Sequence, residues 1–575
     1  MKLKYRSLSL VFLSLICISC AKQKTFEGYL HKFNSDFKEE LADLNVSNAS
    51  YAVFSRDSVI LHDSFSAAGT GTSGDSPFLT GSVTKVFTAV AIMQLCEEGK
   101  IDLDKPVSEY VPDFKITQRF PDSGPITIRS VLTHHAGIPS DSYLNKFSRK
   151  PADFNTVLDY LNTGYTCYPV GKIWAYSNLG YALLGIVIER VSGMKYEEYI
   201  SRRIFEPLKM DSSGFYYDYL SQRHLSGAFD DKGNPGTELP LFDKPAGAIY
   251  STVNDMISFG RALIDGKEVL LKNETLEQMF ILQNEKNLLD LDHRSAICFN
   301  YKNKAYELGR LLEHGGATMY HRAQMVIAPD AGLASVILSD SPNGRDNAWK
   351  LDEQLMVEYV RVKEITPDRN LNPEKTMRLT PISGKSLRSF TGSYAMPGMV
   401  CSIEWKNEHL SPTIEGENFY LVQHDSNSFV PAKRFMGIML RSRKMYLMLE
   451  EIDGEKHFIQ AMPWGGLVII GTQTTPEPIP ISWKDRTGKY AVTSAGVDEI
   501  PTLENVSISI ENGFVVLRYG FNPALTFGQN ATVALNIVSD NEAFVLGYGR
   551  GGGEAVVFEP GKNCFEFMGL KFEKI

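Results

Sequence analysis

A serine and a lysine three residues apart, Ser82 and Lys85, stand at the mouth of an apolar stretch, Val86 to Cys96, whose only polar members are Thr88 and Gln94. A helix that is apolar nearly all round belongs inside a large domain. Gly99, just past the last apolar position, is a natural C-terminal stop. The i, i+3 spacing puts the Ser82 hydroxyl and the Lys85 amine on one helical face. Burial and the positive end of a helix dipole both disfavour the ammonium, which pushes the amine toward acting as a base. A serine beside such an amine is a candidate nucleophile. The string Ser-x-x-Lys is weak by itself, because it recurs at Ser19/Lys22, Ser35/Lys38 and Ser192/Lys195. Of these, Ser82/Lys85 alone opens a long apolar helix. The competing reading is a capping serine beside a lysine that snorkels to the surface.

Two further segments carry polar groups at element boundaries. Tyr176-Ser-Asn178 places a phenol and an amide two residues apart, just before the apolar run Tyr181 to Val191, which predicts a second buried helix. His314-Gly315-Gly316-Ala317 precedes Gln324 to Ala328, a Pro-Asp-Ala-Gly turn and Leu333 to Leu338, which predicts a hairpin with a Gly-rich entry. His134 and His135 are adjacent in a turn and lack ligand spacing on a helix, so no metal site is expected there.

Taken in order, Ser82-x-x-Lys85, Tyr176-x-Asn178 and His314-x-Gly316 resemble the penicillin-recognising serine hydrolase family. That family includes class C β-lactamases, D-alanyl-D-alanine carboxypeptidases, D-aminopeptidases, amidases and esterases. Ile128 to Ile138, Ile204 to Met210 and Pro245 to Thr252 are also similar to family landmarks. The resemblance implies an α/β (α+β) fold, with an antiparallel sheet flanked by helices and an all-helical subdomain. It implies that Ser82 attacks a carbonyl to form an acyl-enzyme, that Lys85 and Tyr176 share the proton transfers, and that no metal or organic cofactor is needed. The oxyanion would be held by the backbone N–H groups of Ser82 and Ala317. Asn178 would orient the substrate, and His314, Gly315 and Gly316 would line the far wall. The family's usual Lys-Thr-Gly is replaced here by His314-Gly-Gly, and a mostly neutral histidine is a weaker anchor for a carboxylate. The expected activity is hydrolysis of D-amino-acid-containing peptides or related amides and esters. The alternatives are a carboxylesterase, a weak β-lactamase, or a non-catalytic receptor for muropeptides or β-lactams.

Around this candidate hydrolase, residues 31–363, the remaining chain divides by texture. Lys2, Lys4 and Arg6 precede a short apolar run, Leu8 to Ile18, as in a secretory signal over 1–19. Cys17-Ile-Ser-Cys20 resembles a bacterial lipobox, which makes Cys20 the expected lipidation site and 20–30 a tether. The expected place is the bacterial cell envelope, lipid-anchored and facing the periplasm or exterior. Removing the three N-terminal basic residues takes the formal net charge from −9 to −12, and no basic tract remains to bind nucleic acid. The remaining cysteines, 96, 167, 298, 401 and 564, describe neither a disulfide scaffold nor a zinc site. Residues 364–386 read as a linker. Beyond them the texture changes to short alternating strands, and Thr391-Gly-Ser-Tyr394 recurs as Thr487-Gly-Lys-Tyr490. The echo predicts two small antiparallel β-barrels, 387–475 and 480–575, similar to the lipocalin-like modules of the D-aminopeptidase branch. In that branch a barrel loop narrows the cleft, and the Gly-rich segment Gly547 to Gly553 is the candidate for such a loop.

Overall fold

The computed structural model describes residues 25–575 apart from 68–70, 145, 217–224, 303–304, 368–386, 397–398, 415–416, 426–427, 436–437, 443–444, 463–465, 495–498, 501 and 523–529. The signal segment, Cys20 and most of the 364–386 linker lie outside the described residues. Among the described residues, nine strands belong to the first domain: β1 (Asn48–Ser55), β2 (Val59–Ser66), β3 (Phe78–Leu79), β4 (Gly214–Phe215), β5 (Ile249–Ser251), β6 (Asn300–Tyr301), β7 (Leu312–Ala317), β8 (Arg322–Ala328) and β9 (Leu333–Ser339). Six of them form an antiparallel sheet in the order β2-β1-β9-β8-β7-β6, while β3, β5 and β4 form a second, short sheet.

The large sheet is covered on both faces, and its residues sort by the two-residue period of a strand. Ala52, Phe54, Met325, Ile327, Val336 and Leu338 face one core. Tyr51, Val53, Val326, Ala328, Leu333 and Ile337 face the other. On the second face lies the helix 25–43, whose Phe33 and Phe37 are one turn apart. The Phe37 ring meets Tyr51 edge-on at 4.8 Å. On the first face lies the helix Val253–Ile264, and Phe259 of that helix stacks at 3.8 Å on Phe87 of Thr84–Glu97, in which every residue from Thr84 to Leu95 is buried. The apolar run after Lys85 is therefore a core helix. The helix Asn178–Ser192 packs beside it, opened by Ser177, whose Oγ accepts from the Gly180 amide at 2.9 Å, and closed by Gly193 at φ 73°.

C-terminal to this domain are two all-β units. Ten antiparallel strands between Gly392 and Thr474 form a barrel-like sheet around Tyr394, Ile403, Leu421, Phe429 and Phe458. Eight strands between Gly488 and Lys574 close into a barrel. Its interior is filled by Trp483, Tyr490, Phe558, Phe565 and Phe572. The internal echo has a structural counterpart. Thr391 and Thr487 each donate from Oγ1 to the carbonyl three residues earlier, at 2.9 and 3.0 Å. Gly392 and Gly488 share positive φ values of 139° and 144°. Tyr394 and Tyr490 each donate from the phenol to the carbonyl four residues earlier, at 3.0 and 2.6 Å. One entry device thus starts both units.

The closed barrel and the first domain share a core. Tyr143, Phe147, Leu241 and Met319 cluster with Val506, Met568 and the barrel interior. Backbone bonds cross the junction from Tyr143 N to Met568 O at 2.8 Å and from Ile500 N to Phe147 O at 3.0 Å.

Candidate active site

Ser82 sits on a single 3-10 turn, Gly81–Val83, that feeds the buried helix. This turn touches strand β7 so closely that glycine is required on both sides. A Cβ on Gly316 would lie 1.9 Å from the Thr80 carbonyl oxygen. A Cβ on Gly81, at φ 51°, would lie 2.6 Å from the Ala317 nitrogen. The Gly-rich entry expected from the sequence is itself strand, with His314 opposite Met325 and Gly316 opposite Ala323. Its glycines serve the close approach of another backbone rather than a turn. The seam brings the Ser82 and Ala317 backbones to the lip of one cleft.

Lys85 is fully buried. Its Nζ donates to Asn178 Oδ1 at 2.7 Å and to the Ala246 carbonyl at 2.7 Å, and lies 3.2 Å from Ser82 Oγ. Burial pushes the amine down to about 7, against the pull of Asp243 and Asp141, which favour the ammonium. Tyr176 lines the cleft with Ser82, and burial raises its phenol above the ordinary value more strongly than Ser82, which favours the phenolate, lowers it. The Lys85 Nζ lies 4.9 Å from the centre of the Tyr176 ring. His134 packs against that ring, 4.3 Å between centroids, and its Nδ1 accepts from the Ser177 amide at 3.1 Å. His135 bonds Asp290, which also accepts from the Trp174 amide at 2.6 Å. The two adjacent histidines therefore brace the Trp174–Asn178 segment. Among the described residues, no group of three or more His, Cys, Asp or Glu side chains is placed to hold a metal ion.

His314 lines the cleft with Nδ1 donating to the Gly315 carbonyl at 3.0 Å, and burial, with Lys85 nearby, pushes it down to about 3. It is neutral at physiological pH. The positive charge of this wall comes instead from two arginines that no motif marks. Arg345 Nη1 donates to the Gly316 carbonyl at 3.3 Å, and Arg322 Nη1 donates to the carbonyls of Thr318 and His321, each at 2.8 Å. Both line the cleft.

The cleft holds about 930 Å³, and its lining includes Tyr519, Phe521, Arg550, Gly551 and Met568 of the closed barrel. The Gly547–Gly553 loop reaches it because its glycines pack on the first domain. A Cβ on Gly553 would lie 2.4 Å from the Cys167 carbonyl, and one on Gly552 would lie 2.1 Å from the Tyr168 hydroxyl. Arg550 projects from this loop and donates to Asp141 Oδ2 from Nε at 3.1 Å and from Nη2 at 2.5 Å. Asp141, 1% exposed, also accepts from Lys146 and, at 2.7 Å, from Asn178 Nδ2. Burial alone would raise this carboxyl, yet Arg550, Lys146 and Asn178 together hold it well below the usual range.

A serine on the turn before a buried helix, a lysine pushed toward its neutral form and a phenol within one cleft are arranged as a serine hydrolase type of site requires, and the sequence match agrees. The β-lactamase family profile matches residues 33–355, and the chain belongs to that family. Among curated relatives, PbpX of Bacillus subtilis (strain 168), named for penicillin binding, is 34% identical over 207 residues, which cover 35% of this chain and 50% of that one. Beta-lactamase-like protein 2 of Dictyostelium discoideum is 30% identical over 223 residues, covering 36% and 39%. The chain thus spans half or less of the length of these relatives. Two solved folds extend further along the chain. SurE superposes with a TM-score of 0.56 at 20% identity, covering 77% of this chain and 100% of that one. The octameric penicillin-binding protein homologue of Pyrococcus abyssi gives 0.51 at 21%, covering 77% and 99%. Both likenesses reach beyond the 33–355 match and concern the fold.

Proposed function

We propose that this protein is a serine acyl hydrolase that acts, through an acyl-enzyme, on D-amino-acid-containing peptides or related amides and esters. The observation that carries the reading is the hydrogen-bond inventory of Lys85. A neutral amine has two N–H donors and one lone pair. The carbonyls of Asn178 and Ala246 take the two donors, which leaves the lone pair for the Ser82 hydroxyl. Lys85 then serves as the base, and Ser82 Oγ attacks the substrate carbonyl. Tyr176, whose phenol keeps its proton at neutral pH, gives that proton to the leaving group and regains one from Lys85. The backbone N–H groups of Ser82 and Ala317 hold the oxyanion, each contributing about 3 kcal/mol to the transition state. Asn178 lines the cleft, and its amide bonds Lys85 through Oδ1 and Asp141 through Nδ2, which leaves a second lone pair and a second N–H to orient a substrate.

The D-peptide reading is supported by family membership, by the motif order and paired barrels, and by a cleft of about 930 Å³, roomy enough for a short peptide. Envelope attachment through Cys20 belongs to the same proposal and rests on the basic, short-apolar and Cys-ending N-terminus. A fluorophosphonate probe tests the chemistry: it should label the wild type and not Ser82→Ala. Binding of a fluorescent penicillin without acylation, or labelling that survives Ser82→Ala, would favour a receptor. A panel of a D-aminoacyl anilide, a short-chain ester and a chromogenic cephalosporin then ranks the substrates.

A further inference from the structure

Asn178 is the hinge of a chain of contacts that runs from the C-terminal barrel to the candidate nucleophile. A carboxylate only accepts hydrogen bonds, so Asp141 Oδ1 fixes Nδ2 of Asn178 toward itself. The amide oxygen is thereby aimed at Lys85 Nζ. Were the amide reversed, its NH2 would face the amine and compete for the lone pair that Ser82 needs. Asp141 therefore holds the acceptor that Lys85 requires, but its negative charge also favours the ammonium. Arg550 supplies the opposing charge on the other carboxylate oxygen, and its guanidinium carbon lies 5.6 Å from the centre of the Tyr176 ring. We propose that Asp141 and Arg550 are positioning residues for the proton transfer. Asp141 orients the Asn178 amide, and Arg550, delivered by the C-terminal barrel, offsets the Asp141 charge so that Lys85 is not held as an ammonium. This rests on the serine hydrolase reading above and adds a residue from outside the matched 33–355 region to its site.

The other groups that face Lys85 leave these charges in control. Asp243 and Asp141 favour its charged form and Arg550 disfavours it. Cys298 is pushed up to about 12 by burial, and the rings of Tyr176 and Tyr181, 4.9 and 5.5 Å away, carry raised phenols. His134 and His314 are both pushed well down by burial. Lys146 is bound to Asp141 and, at 3.8 Å, to Asp243, and Glu554, whose Oε1 accepts from the Ser140 amide at 2.9 Å, is pushed up to about 8 by burial and interacts with both Asp141 and Arg550.

The experiment is a pH profile of kcat/KM from pH 5 to 10 on an activated ester, with the full chain as wild type, Ser82→Ala, Arg550→Met and Arg550→Lys. The Arg550 side chain keeps 54% of its surface exposed, so removing its charge spares the core. Arg550→Met should move the acid limb upward by about half to one pH unit. That is roughly a three- to tenfold loss at pH 6 and a loss of less than about threefold at pH 9. Arg550→Lys should return the limb toward wild type. A merely structural role would lower activity by one factor at all pH values, and an unmoved limb overturns the inference. Should Arg550→Met fail to fold by circular dichroism, Arg550→Gln makes the same comparison. Activity surviving in Ser82→Ala would overturn the hydrolase reading itself. An inactive Ser82→Ala with an unmoved Arg550→Met limb overturns only this inference.

Discussion

At the scale of single residues, the proposed base, Lys85, predicts the pH behaviour. Lys85 must be neutral to accept the Ser82 proton, so kcat/KM should rise with pH through about 7, falling about tenfold per unit below pH 6. A profile flat from pH 5 to 8 would exclude Lys85 as the base. The same shift has a signature in stability. Between about pH 7 and the ordinary lysine value the unfolded chain binds a proton that the folded chain does not, so this group's contribution to stability rises with pH over that window. Lys85→Met should therefore raise Tm, relative to wild type, more at pH 6 than at pH 10, whatever the pH-independent loss from leaving the Ala246 carbonyl unpaired. Arg345 yields a second expectation. With His314 neutral, Arg345→Ala should raise KM for a carboxylate-bearing substrate several-fold, about 1 kcal/mol, and leave a neutral ester unaffected. Equal effects on the two would place Arg345 away from the substrate. Ser82, Lys85 and Tyr176 were legible in the sequence because each stands at a fixed offset beside a buried helix whose period shows in the chain. Asp141, Arg345 and Arg550 were not, since each enters the cleft from a loop or junction, and Arg550 meets Asp141 across 409 residues.

Among elements, the decisive contact is backbone on backbone. The nucleophile turn and strand β7 meet through Gly81 and Gly316, and neither position has room for a methyl group. Gly316→Ala must push the turn away from the strand by more than an ångström. It should lower kcat on the order of 100-fold, since misplacement by about 1 Å costs that much. Wild-type kcat in that variant would show that the seam is looser than it looks. The long helices and the β8–β9 hairpin could be read from apolar periodicity. The strand character of His314 to Ala317 could not, because glycines that signal a loop in a single chain were answering a neighbour more than 200 residues away. The second barrel followed from the repeated Thr-Gly-x-Tyr entry, whose shared phenol-to-carbonyl bonds explain why those four residues persist in both copies.

For the molecule as a whole, the core shared by the first domain and the closed barrel predicts that the two unfold together. Tyr143, Phe147 and Met319 are buried and Leu241 is half-buried against barrel residues, and among the described residues two backbone hydrogen bonds cross the junction. Thermal unfolding followed by tyrosine fluorescence and by acyl-enzyme labelling should give coincident transitions, and a barrel that melts first would show the units to be independent. Attachment is tested at this scale too. Cys20→Ser should release the protein from the membrane fraction or block its processing, and unchanged fractionation would refute a lipid anchor.

The origin of Arg550 so late in the chain has a temporal consequence. At ribosomal elongation rates of about 5–20 residues per second, the 409 residues between Asp141 and Arg550 take roughly 20 to 80 s to make. Through that interval a newborn domain that already carries Ser82 and Lys85 lacks the wall formed by Tyr519, Phe521 and Met568, and the guanidinium that faces Asp141. Competence then arrives as a late step of biogenesis, and a nascent chain stalled before the last barrel strands is expected to acylate slowly.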